Sequence, residues 1–333
     1  MNKIPNIVII GGGTGSFVVA SGLSDSPVHL SMLMTMVDEG GSNRIIRDEF
    51  GLLPTSGIRQ AIVALSKNKT VLRKLFTYRY HQGGVSLNGM TFGNLFMAAM
   101  ADIMGSQKKG IEETCRLLQV SGDIIPISYD NVRLMAEYKD GTKIVGEHNI
   151  DVLRRKAGLR IINLKTIPSA KLNPEAKKAI LNADLIIIGP GDFYTNTIAN
   201  LIVDGVVPVL KKTRGKILFI ANLMDSLSET PGYSLSDFFV DLKKYMSLSL
   251  INYVLVNNNY DFPKPAIEAY EKESAAPIKD DLGVENINPR VKIIRTDLLS
   301  ENIPEKVKGD NINRSMIRHD PDKLCAAILE FVK

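Results

Sequence analysis

The chain has 333 residues, a formal net charge of +5 and a hydrophobic content of 44%, which is enough apolar material for one large α/β domain. No apolar run reaches the roughly 18 residues of a membrane-spanning helix, and Met1 leads into a strand pattern without a signal peptide. Cys115 and Cys325 lack the spacing of a disulfide framework or a zinc site. We therefore expect a cytoplasmic protein without membrane insertion, and the scattered basic residues carry no nucleic-acid signature.

The first predicted element is a buried strand at residues 7–10, and a glycine-rich turn and an apolar helix follow it. Glycine lets a backbone approach a phosphate closely, and a helix N-terminus offers free N–H groups with a partial positive charge. We therefore interpret this turn as a phosphate cradle for a nucleotide or a nucleotide sugar. The residues of the cradle are Gly11, Gly12, Gly13, Thr14 and Gly15.

This turn matches three known glycine signatures imperfectly. The dinucleotide fingerprint would place its third glycine at Ser16, and the P-loop would need a lysine that is absent here. The glycine box of the tubulin-type GTPases normally lies deep in the chain, whereas this turn opens it. The dinucleotide match keeps an NAD-linked oxidoreductase as one alternative function, although no Tyr-x-x-x-Lys pair accompanies it.

The second predicted strand, residues 30–37, ends at an acidic residue and another glycine-rich turn. Asp38 has three candidate roles: it could hold ribose hydroxyls, bind a divalent metal such as Mg²⁺, or act as a catalytic base. Gly40, Gly41 and Ser42 follow it and form a predicted second nest of backbone amides for an anion. Both glycine-rich turns end strands of one predicted sheet, so we expect them to face the same crevice.

The middle of the chain predicts two additions to the sheet. Residues 66–120 read as a helical insertion, in which Asn94 is either a satisfied core amide or a ligand contact. Residues 130–167 read as a small β-hairpin annex with its turn at Asp140-Gly141. His148 in this annex is predicted to be an exposed strand residue.

A second strand–glycine–helix pattern begins at residues 185–188. We expect the polar residues after this strand to crown its carboxyl end, with Thr195 or Asn196 capping the following helix. Asn222, at the end of the next strand, is predicted to close the same side. The predicted ligand contacts of this stretch are Gly189, Gly191, Asp192, Tyr194, Thr195 and Asn196.

Seven stretches, in order along the chain, resemble the gluconeogenesis-factor family (YvcK-like), which is related to 2-phospho-L-lactate transferase (CofD-like). The resemblance implies a Rossmann-like fold that binds a nucleotide. It implies a UDP-sugar-binding regulator of carbon use and cell-wall synthesis in the bacterial branch, with Tyr270 and Arg318 at the ligand. In the transferase branch it implies transfer of a nucleotide-activated phospholactate with a divalent metal. The matching stretches are 9–15, 37–42, 92–96, 189–195, 221–224, 229–230 and 318–320.

Two departures from the family pattern bear on function. Gly57 stands where a second acidic residue is expected, and Met90 stands where a histidine is expected. A single carboxylate at Asp38 holds a hard cation weakly, so these departures weaken the transferase interpretation more than nucleotide binding.

The whole chain, 1–333, is thus interpreted as one Rossmann-like, doubly wound and mostly parallel α/β domain. We expect a nucleotide- or nucleotide-sugar-binding regulator that forms a homo-oligomer.

Overall fold

Ten strands of the computed structural model form two sheets. The structure describes residues 3–40, 43, 46–47, 50–67, 71–82, 84–150, 159–226, 228–272, 275–302 and 316–332. The strands are β1 (Asn6–Gly11), β2 (His29–Met34), β3 (Asp123–Pro126), β4 (Arg133–Tyr138), β5 (Lys143–Val145), β6 (Ile161–Ile167), β7 (Leu185–Ile188), β8 (Lys216–Ile220), β9 (Tyr253–Asn257) and β10 (Lys292–Thr296).

The larger sheet has seven strands in the order β10-β9-β8-β7-β1-β2-β3, and each neighbouring pair is parallel. Strands β1 to β3 extend the sheet in one direction, and β7 to β10 extend it in the other. The order therefore reverses between β1 and β7, where Ile7 pairs with Leu185 and Ile10 pairs with Ile188. In open parallel sheets such a switch point leaves a crevice at the carboxyl ends of the strands, where ligands bind.

Helices cover both faces of this sheet, as the apolar strands require. They are α1 (Gly13–Leu23), α2 (Ser56–Leu65), α3 (Val71–Thr77), α4 (Gly84–Leu87), α5 (Phe92–Ile103), α6 (Gln107–Leu117), α7 (Pro174–Asn182), α8 (Ala199–Leu201), α9 (Val206–Leu210), α10 (Leu235–Leu242), α11 (Lys264–Lys272) and α12 (Pro321–Leu329). A π-helix, Phe193–Ile198, runs directly into α8. No helix among the described residues is both long enough and apolar enough to span a membrane.

Two apolar cores lie on the two faces, and the alternation of β1 explains how they separate. Ile7 and Ile9 point into the core shared with α1, α2 and α12, whereas Val8 and Ile10 point into the core shared with α7 and α10. Successive side chains of a strand point to opposite faces, so one fully apolar strand serves both cores.

The smaller sheet has three antiparallel strands in the order β5-β4-β6. The predicted hairpin is confirmed, because Gly141 turns with a φ of +85° between β4 and β5. The prediction for His148 was wrong: residues 147–150 are helical, and His148 is exposed on that helical turn. Inward residues of β4 and β6 belong to the same core as β7 and α10, so this sheet packs on the larger one.

Two predicted boundaries also need correction. β2 ends at Met34 and not at Val37, although Met36 and Val37 stay buried after the chain leaves the sheet. Neither Thr195 nor Asn196 caps the helix after β7; the π-helix starts at Phe193, with Asp192 in the N-cap position.

Candidate functional site

The first glycine turn connects β1 directly to α1. Gly12 occupies the N-cap position without a side chain, and Gly13 adopts a φ of +68° that favours glycine. The Gly12 N–H donates to Ser16 Oγ at 3.1 Å, and Ser16 Oγ donates to the Pro190 carbonyl at 3.0 Å. The N–H groups of the first turn have no intrahelical carbonyl to bind, because no helical turn precedes them. α1 also has no acidic residue in this first turn. This end of α1 is suited to an anion.

The two glycine turns lie against each other at the switch point. A Cβ on Gly15 would lie 2.7 Å from the Pro190 carbonyl oxygen, and a Cβ on Gly191 would lie 2.8 Å from the Gly12 oxygen. Only glycine permits these backbones to approach so closely. The turns therefore share one edge of the sheet, as predicted, and Gly13, Thr14 and Gly15 remain partly exposed there.

The second turn differs from the first because a carboxylate already occupies its amides. Glu229 accepts hydrogen bonds from the backbone N–H of Tyr194 at 2.7 Å and of Thr195 at 3.2 Å. It also accepts one from Thr195 Oγ1. Glu229 and Thr195 are both buried. The predicted ligand role of Thr195 is therefore not supported by its position, since its donors face Glu229.

Tyr194 also points away from the crevice, contrary to the prediction. The residue is 1% exposed, its hydroxyl donates to Asp241 Oδ2, and the carbonyl oxygen of Ile161 lies 3.2 Å from the same hydroxyl. Tyr233 donates to the same Asp241 oxygen. Burial and the neighbouring carboxylate raise the pKa of Tyr194 strongly. This network joins β6 to α10 beneath the second turn and has a structural role.

Asp192 and Asn196 remain at the crevice. Asn196 Nδ2 donates to Asp192 Oδ2 at 2.9 Å, and Asp192 is exposed. Asn196 Oδ1 lies 2.2 Å from the place where a Cβ on Gly12 would be, so this side chain fills the space beside the first turn. The pair offers oxygen acceptors and one amide next to the phosphate cradle.

Asn222 was predicted to contact the ligand, but both polar atoms of its side chain are hydrogen-bonded to the second turn. Its Nδ2 donates to the Gly191 carbonyl at 2.9 Å, and its Oδ1 accepts from the Gly191 N–H at 3.3 Å. Gly189 begins this turn with a φ of +75°. Beside Asn222 a small cleft opens at the ends of β8 and β9, with Tyr260 and Phe262 in its wall.

Asp38 lies beyond β2 and is half-buried. Its Oδ1 accepts a hydrogen bond from the Gly40 N–H at 2.8 Å. This N–H is therefore not available for the anion that was predicted to bind at Gly40. Burial raises the pKa of Asp38, while Gly40, Asn43 and the charge of Arg47 oppose that shift. Gly41 and Ser42, the rest of the predicted nest, lie outside the described residues.

The described residues around Asp38 do not fit Mg²⁺. Among the described residues no three His, Cys, Asp or Glu side chains are grouped so that they could hold a metal ion. The neighbouring Glu39 turns away from Asp38 and binds Arg47 at 2.7 Å and Arg133 at 3.2 Å. Mg²⁺ demands near-octahedral oxygen ligands, and one hydrogen-bonded carboxylate supplies too few.

Asn94 is a satisfied core amide. It is 0% exposed, its Oδ1 accepts from Arg59 Nε at 3.1 Å, and its Nδ2 donates to Ser56 Oγ at 3.1 Å. These bonds hold the first turn of α2 in place. Of the two alternatives that the sequence left open, the structure supports the packing role.

Tyr270 and the segment that contains Arg318 meet at the far side of the same edge. Tyr270 packs on the apolar cluster that includes Met224, Met316 and Ile317. Arg318 is partly exposed directly after this cluster. The structure therefore brings these two predicted residues into one region, beyond β8 and away from the first glycine turn.

Two comparisons with known proteins decide the family. The model of the family described as 2-phospho-L-lactate transferase CofD matches residues 7–299. The gluconeogenesis factor of Bacillus subtilis (strain 168) is 33% identical over 335 residues, which cover 100% of each chain. The chain belongs to the CofD family.

Further relatives agree with this assignment to the CofD family. The gluconeogenesis factor of Halalkalibacterium halodurans is 34% identical over 335 residues, covering 98% of this chain and 97% of that protein. A crystal structure of a UPF0052 family member from Bacillus halodurans has a TM-score of 0.88 at 32% identity, and the match covers 99% of this chain and 100% of that one. The Rossmann-like fold predicted from the sequence is thereby confirmed.

Sequence reasoning missed several polar residues in this CofD-family site. Asn200 is fully buried, and its Nδ2 donates to the Gly11 carbonyl at 3.1 Å, which ties α8 to the end of β1. Asn43 and Thr55 are each 1% exposed, and Thr55 Oγ1 has no hydrogen-bond partner among the described residues. The one available signal was an asparagine within an apolar stretch, which marked Asn94 but was not applied to Asn200.

Proposed function

We propose that this protein binds a nucleotide or a nucleotide sugar of the UDP-sugar type in the crevice between β1 and β7. We further propose that it regulates carbon metabolism, cell-wall synthesis or cell shape and does not catalyse a reaction. The observation that carries the proposal is the open N-terminus of α1 at the switch point, with a glycine N-cap and no acidic residue in its first turn.

The neighbouring side chains suit the uncharged part of such a ligand. Asp192 and Asn196 carry acceptors for sugar hydroxyls beside the cradle. The cleft at the ends of β8 and β9 has aromatic walls at Tyr260 and Phe262, which suit a nucleobase or a sugar ring. Tyr270 and Arg318 lie beyond it as contacts for the distal end of the ligand.

The regulatory part of the proposal has separate support. The full-length relatives from Bacillus subtilis and Halalkalibacterium halodurans are described as gluconeogenesis factors and not as enzymes. Among the described residues, Glu229 is buried and held by the amides of the second turn, so this carboxylate is not placed for acid–base chemistry in the crevice.

Calorimetric titration with UDP-N-acetylglucosamine and with GDP tests the binding. The decisive variant is Thr14→Glu, because a carboxylate in the first turn of α1 occupies the anion site while interacting favourably with the helix dipole. We expect Thr14→Glu to lose binding without losing thermal stability, and Thr14→Ser to bind as the parent does. The proposal would be contradicted if neither ligand produced heat or a thermal shift. Unchanged binding by Thr14→Glu would also contradict it.

A second candidate is a phospholactate transfer, which the family model's description favours. That reaction would need a divalent metal near Asp38, where Gly57 leaves the expected second carboxylate missing. An assay for transfer of the phospholactyl group, run with Mg²⁺, discriminates the two candidates: turnover by the parent chain would replace the regulatory proposal.

A further inference from the structure

The positive charge of the chain is concentrated in one segment, residues 50–101. This segment contains six Lys or Arg residues and no Asp or Glu, so it carries +6, whereas the rest of the chain sums to −1. It comprises α2, α3, α4 and most of α5. Such an asymmetry of charge within one chain is typical of a surface that binds a large anionic partner.

Helix α3 lies within this segment and is apolar on both its inner and its outer face. On the inner face Phe76 is buried, and its ring packs edge-on against Phe96 of α5 with the centroids 5.6 Å apart. On the outer face Val71, Leu75 and Tyr78 follow at i, i+4 and i+7, and all three are exposed. The N–H of Tyr78 donates to the Leu75 carbonyl at 3.0 Å, so this residue continues the last turn of the helix. A surface helix normally has a polar outer face, so the outer face of α3 suits a partner that is itself partly apolar.

Basic side chains flank this outer face. Lys74 is three residues after Val71 and four before Tyr78, so it lies on the same side of the helix. Lys67 precedes the helix, and both lysines are exposed. Neither forms an ion pair with another residue of the part of the chain that the structure describes. Their long apolar stems can follow an apolar surface while the ammonium groups reach anions beyond it.

This combination of features favours one class of partner over three others. A second copy of the chain would bring two positive faces together, which is unfavourable. A nucleic acid would match the charge and stack on Tyr78, but it offers nothing to the aliphatic side chains of Val71 and Leu75. A protein interface needs about 800 Å² on each partner, and α3 is only about 10 Å long. A bilayer accepts a short apolar ridge, because the apolar side chains enter the acyl boundary and the lysines remain among the headgroups.

We propose that the outer face of α3 binds peripherally to a membrane surface rich in anionic phospholipids. Val71, Leu75 and Tyr78 are the apolar contacts, and Lys67 and Lys74 are the contacts to the headgroups. The helix lies in the plane of the interface and does not cross the bilayer. None of these residues belongs to the crevice between β1 and β7, so the inference is independent of the proposed nucleotide binding.

Co-sedimentation with vesicles tests this surface. The probes are vesicles of phosphatidylcholine alone and of phosphatidylcholine with about one quarter phosphatidylglycerol. We expect the full chain to pellet with the anionic vesicles only, and to be released by about 0.5 M NaCl, because salt screens the attraction. Equal binding to both kinds of vesicle, or binding to neither, would overturn the inference.

The variant Val71→Glu locates the binding on α3. It removes one apolar contact and adds a negative charge, so we expect the partition onto anionic vesicles to fall about tenfold. Val240→Glu is the matched control, because it makes the same substitution on α10 at a side chain that is 61% exposed, compared with 77% for Val71. It should bind as the parent does. Thermal unfolding checks that both variants are folded, and Leu75→Glu decides the question if Val71→Glu is not. Unchanged partition of the folded α3 variant would refute the proposed surface.

A fluorescent reporter distinguishes insertion of α3 from attachment elsewhere. The chain contains no Trp, so Tyr78→Trp introduces a single one. Its emission should move to shorter wavelength with anionic vesicles, because the indole leaves water. Tyr260→Trp is the control, since Tyr260 is 50% exposed and Tyr78 is 51% exposed, and its emission should not move. An unchanged Tyr78→Trp spectrum in a protein that pellets would place the contact elsewhere and overturn the inference. A dimer in buffer that Val71→Glu converts to a monomer would assign this face to a second copy of the chain and would also overturn it.

Discussion

The two strand–glycine–helix units of the sheet begin alike in sequence and end differently in structure. After β1, the first turn of α1 presents backbone N–H groups at the crevice, and α1 itself has no acidic residue in that turn. After β7, Glu229 fills the equivalent position and accepts from Tyr194 and Thr195. The same local pattern therefore yields one helix N-terminus whose first turn carries no acidic residue and one whose amides bind the protein's own carboxylate.

The difference assigns separate roles to the two turns. An internal carboxylate at a helix N-terminus satisfies the free amides and the dipole, so the second turn gains rigidity and loses its capacity for phosphate. That rigid turn then contacts the first through Gly191 and Gly12 and fixes its shape. Under the proposed function, only the first turn binds phosphate. Four predictions probe this division, in order of decreasing effect.

The largest effect should follow from Glu229→Ala. The variant leaves three buried donors without their charged acceptor, so we expect a loss of roughly 4 kcal/mol in the free energy of unfolding, measured by chemical denaturation. Glu229→Gln keeps the shape and removes the charge, and it should lose about half as much.

The response of the melting temperature to added phosphate tests directly whether Glu229 occupies an anion site. In a Thr14→Glu background the first turn is blocked, and Glu229→Ala should then make the melting temperature rise with added phosphate, because the second turn has become an anion site. Thr14→Glu alone should show no such rise. An equal response of both proteins would mean that Glu229 does not occupy an anion site.

The next effect concerns His319, a buried residue that is hydrogen-bonded to the backbone of Ala221. One ring nitrogen donates to the carbonyl of Ala221, next to Asn222, and burial lowers the pKa of His319 to about 4. The unfolded chain, with an ordinary histidine pKa near 6.5, binds the proton more readily. Stability is therefore complete above pH 6.5 and falls as the pH approaches 4, by about 3 kcal/mol.

Replacing the histidine isolates this contribution. We expect His319→Gln to remove this contribution to the fall in unfolding free energy between pH 6.5 and pH 4. Chemical denaturation at several pH values in this range measures it. His148→Gln replaces an exposed histidine and is the matched control. If the parent and His319→Gln lose stability in parallel over this range, the folded protein accommodates the protonated ring.

The two strand–glycine–helix units could be predicted from the sequence because the residues that indicate each unit are adjacent in the chain. Continuous apolar runs at residues 7–10 and 185–188 mark strands buried on both faces, and the glycines after them mark tight turns. The contact between the turns depends on the pairing of β1 with β7, which joins residues far apart in the chain. The crevice could be proposed from strand ends, but this contact could not be assigned from spacing.

The individual side chains were harder to assign for a related reason. Tyr194 and Thr195 are adjacent to Asp192 in sequence, yet the π-helix turns both inward and leaves Asp192 exposed. Glu229 reaches their amides from a separate loop. Periodicity cannot give the direction of a side chain in so short a helix, so a polar stretch after a strand predicted more ligand contacts than the fold supplies.

The third prediction compares a glycine at the close contact between the turns, Gly15, with a glycine that has more space around it, Gly57. Gly15→Ala pushes a methyl group against the backbone of Pro190, and we expect a loss of about 2 kcal/mol in unfolding free energy and weaker nucleotide binding. Gly57→Ala meets only the end of Met34, so the helix propensity of alanine should stabilise the protein by about 0.5 kcal/mol. Equal behaviour of the two variants in denaturation would show that the turns tolerate separation.

The smallest effect should follow from Asn222→Ala, which removes both hydrogen bonds to Gly191. The second turn keeps Glu229, so the cost in unfolding free energy should be about 1 kcal/mol. Ligand affinity should fall nonetheless, because Gly191 contacts Gly12 and a looser second turn no longer holds the cradle in its binding shape. Asn222→Asp keeps one acceptor for the Gly191 N–H and should retain more affinity than alanine does. If Asn222→Ala binds UDP-N-acetylglucosamine as the parent does, the first turn holds its shape alone, and the second turn contributes stability and nothing to recognition.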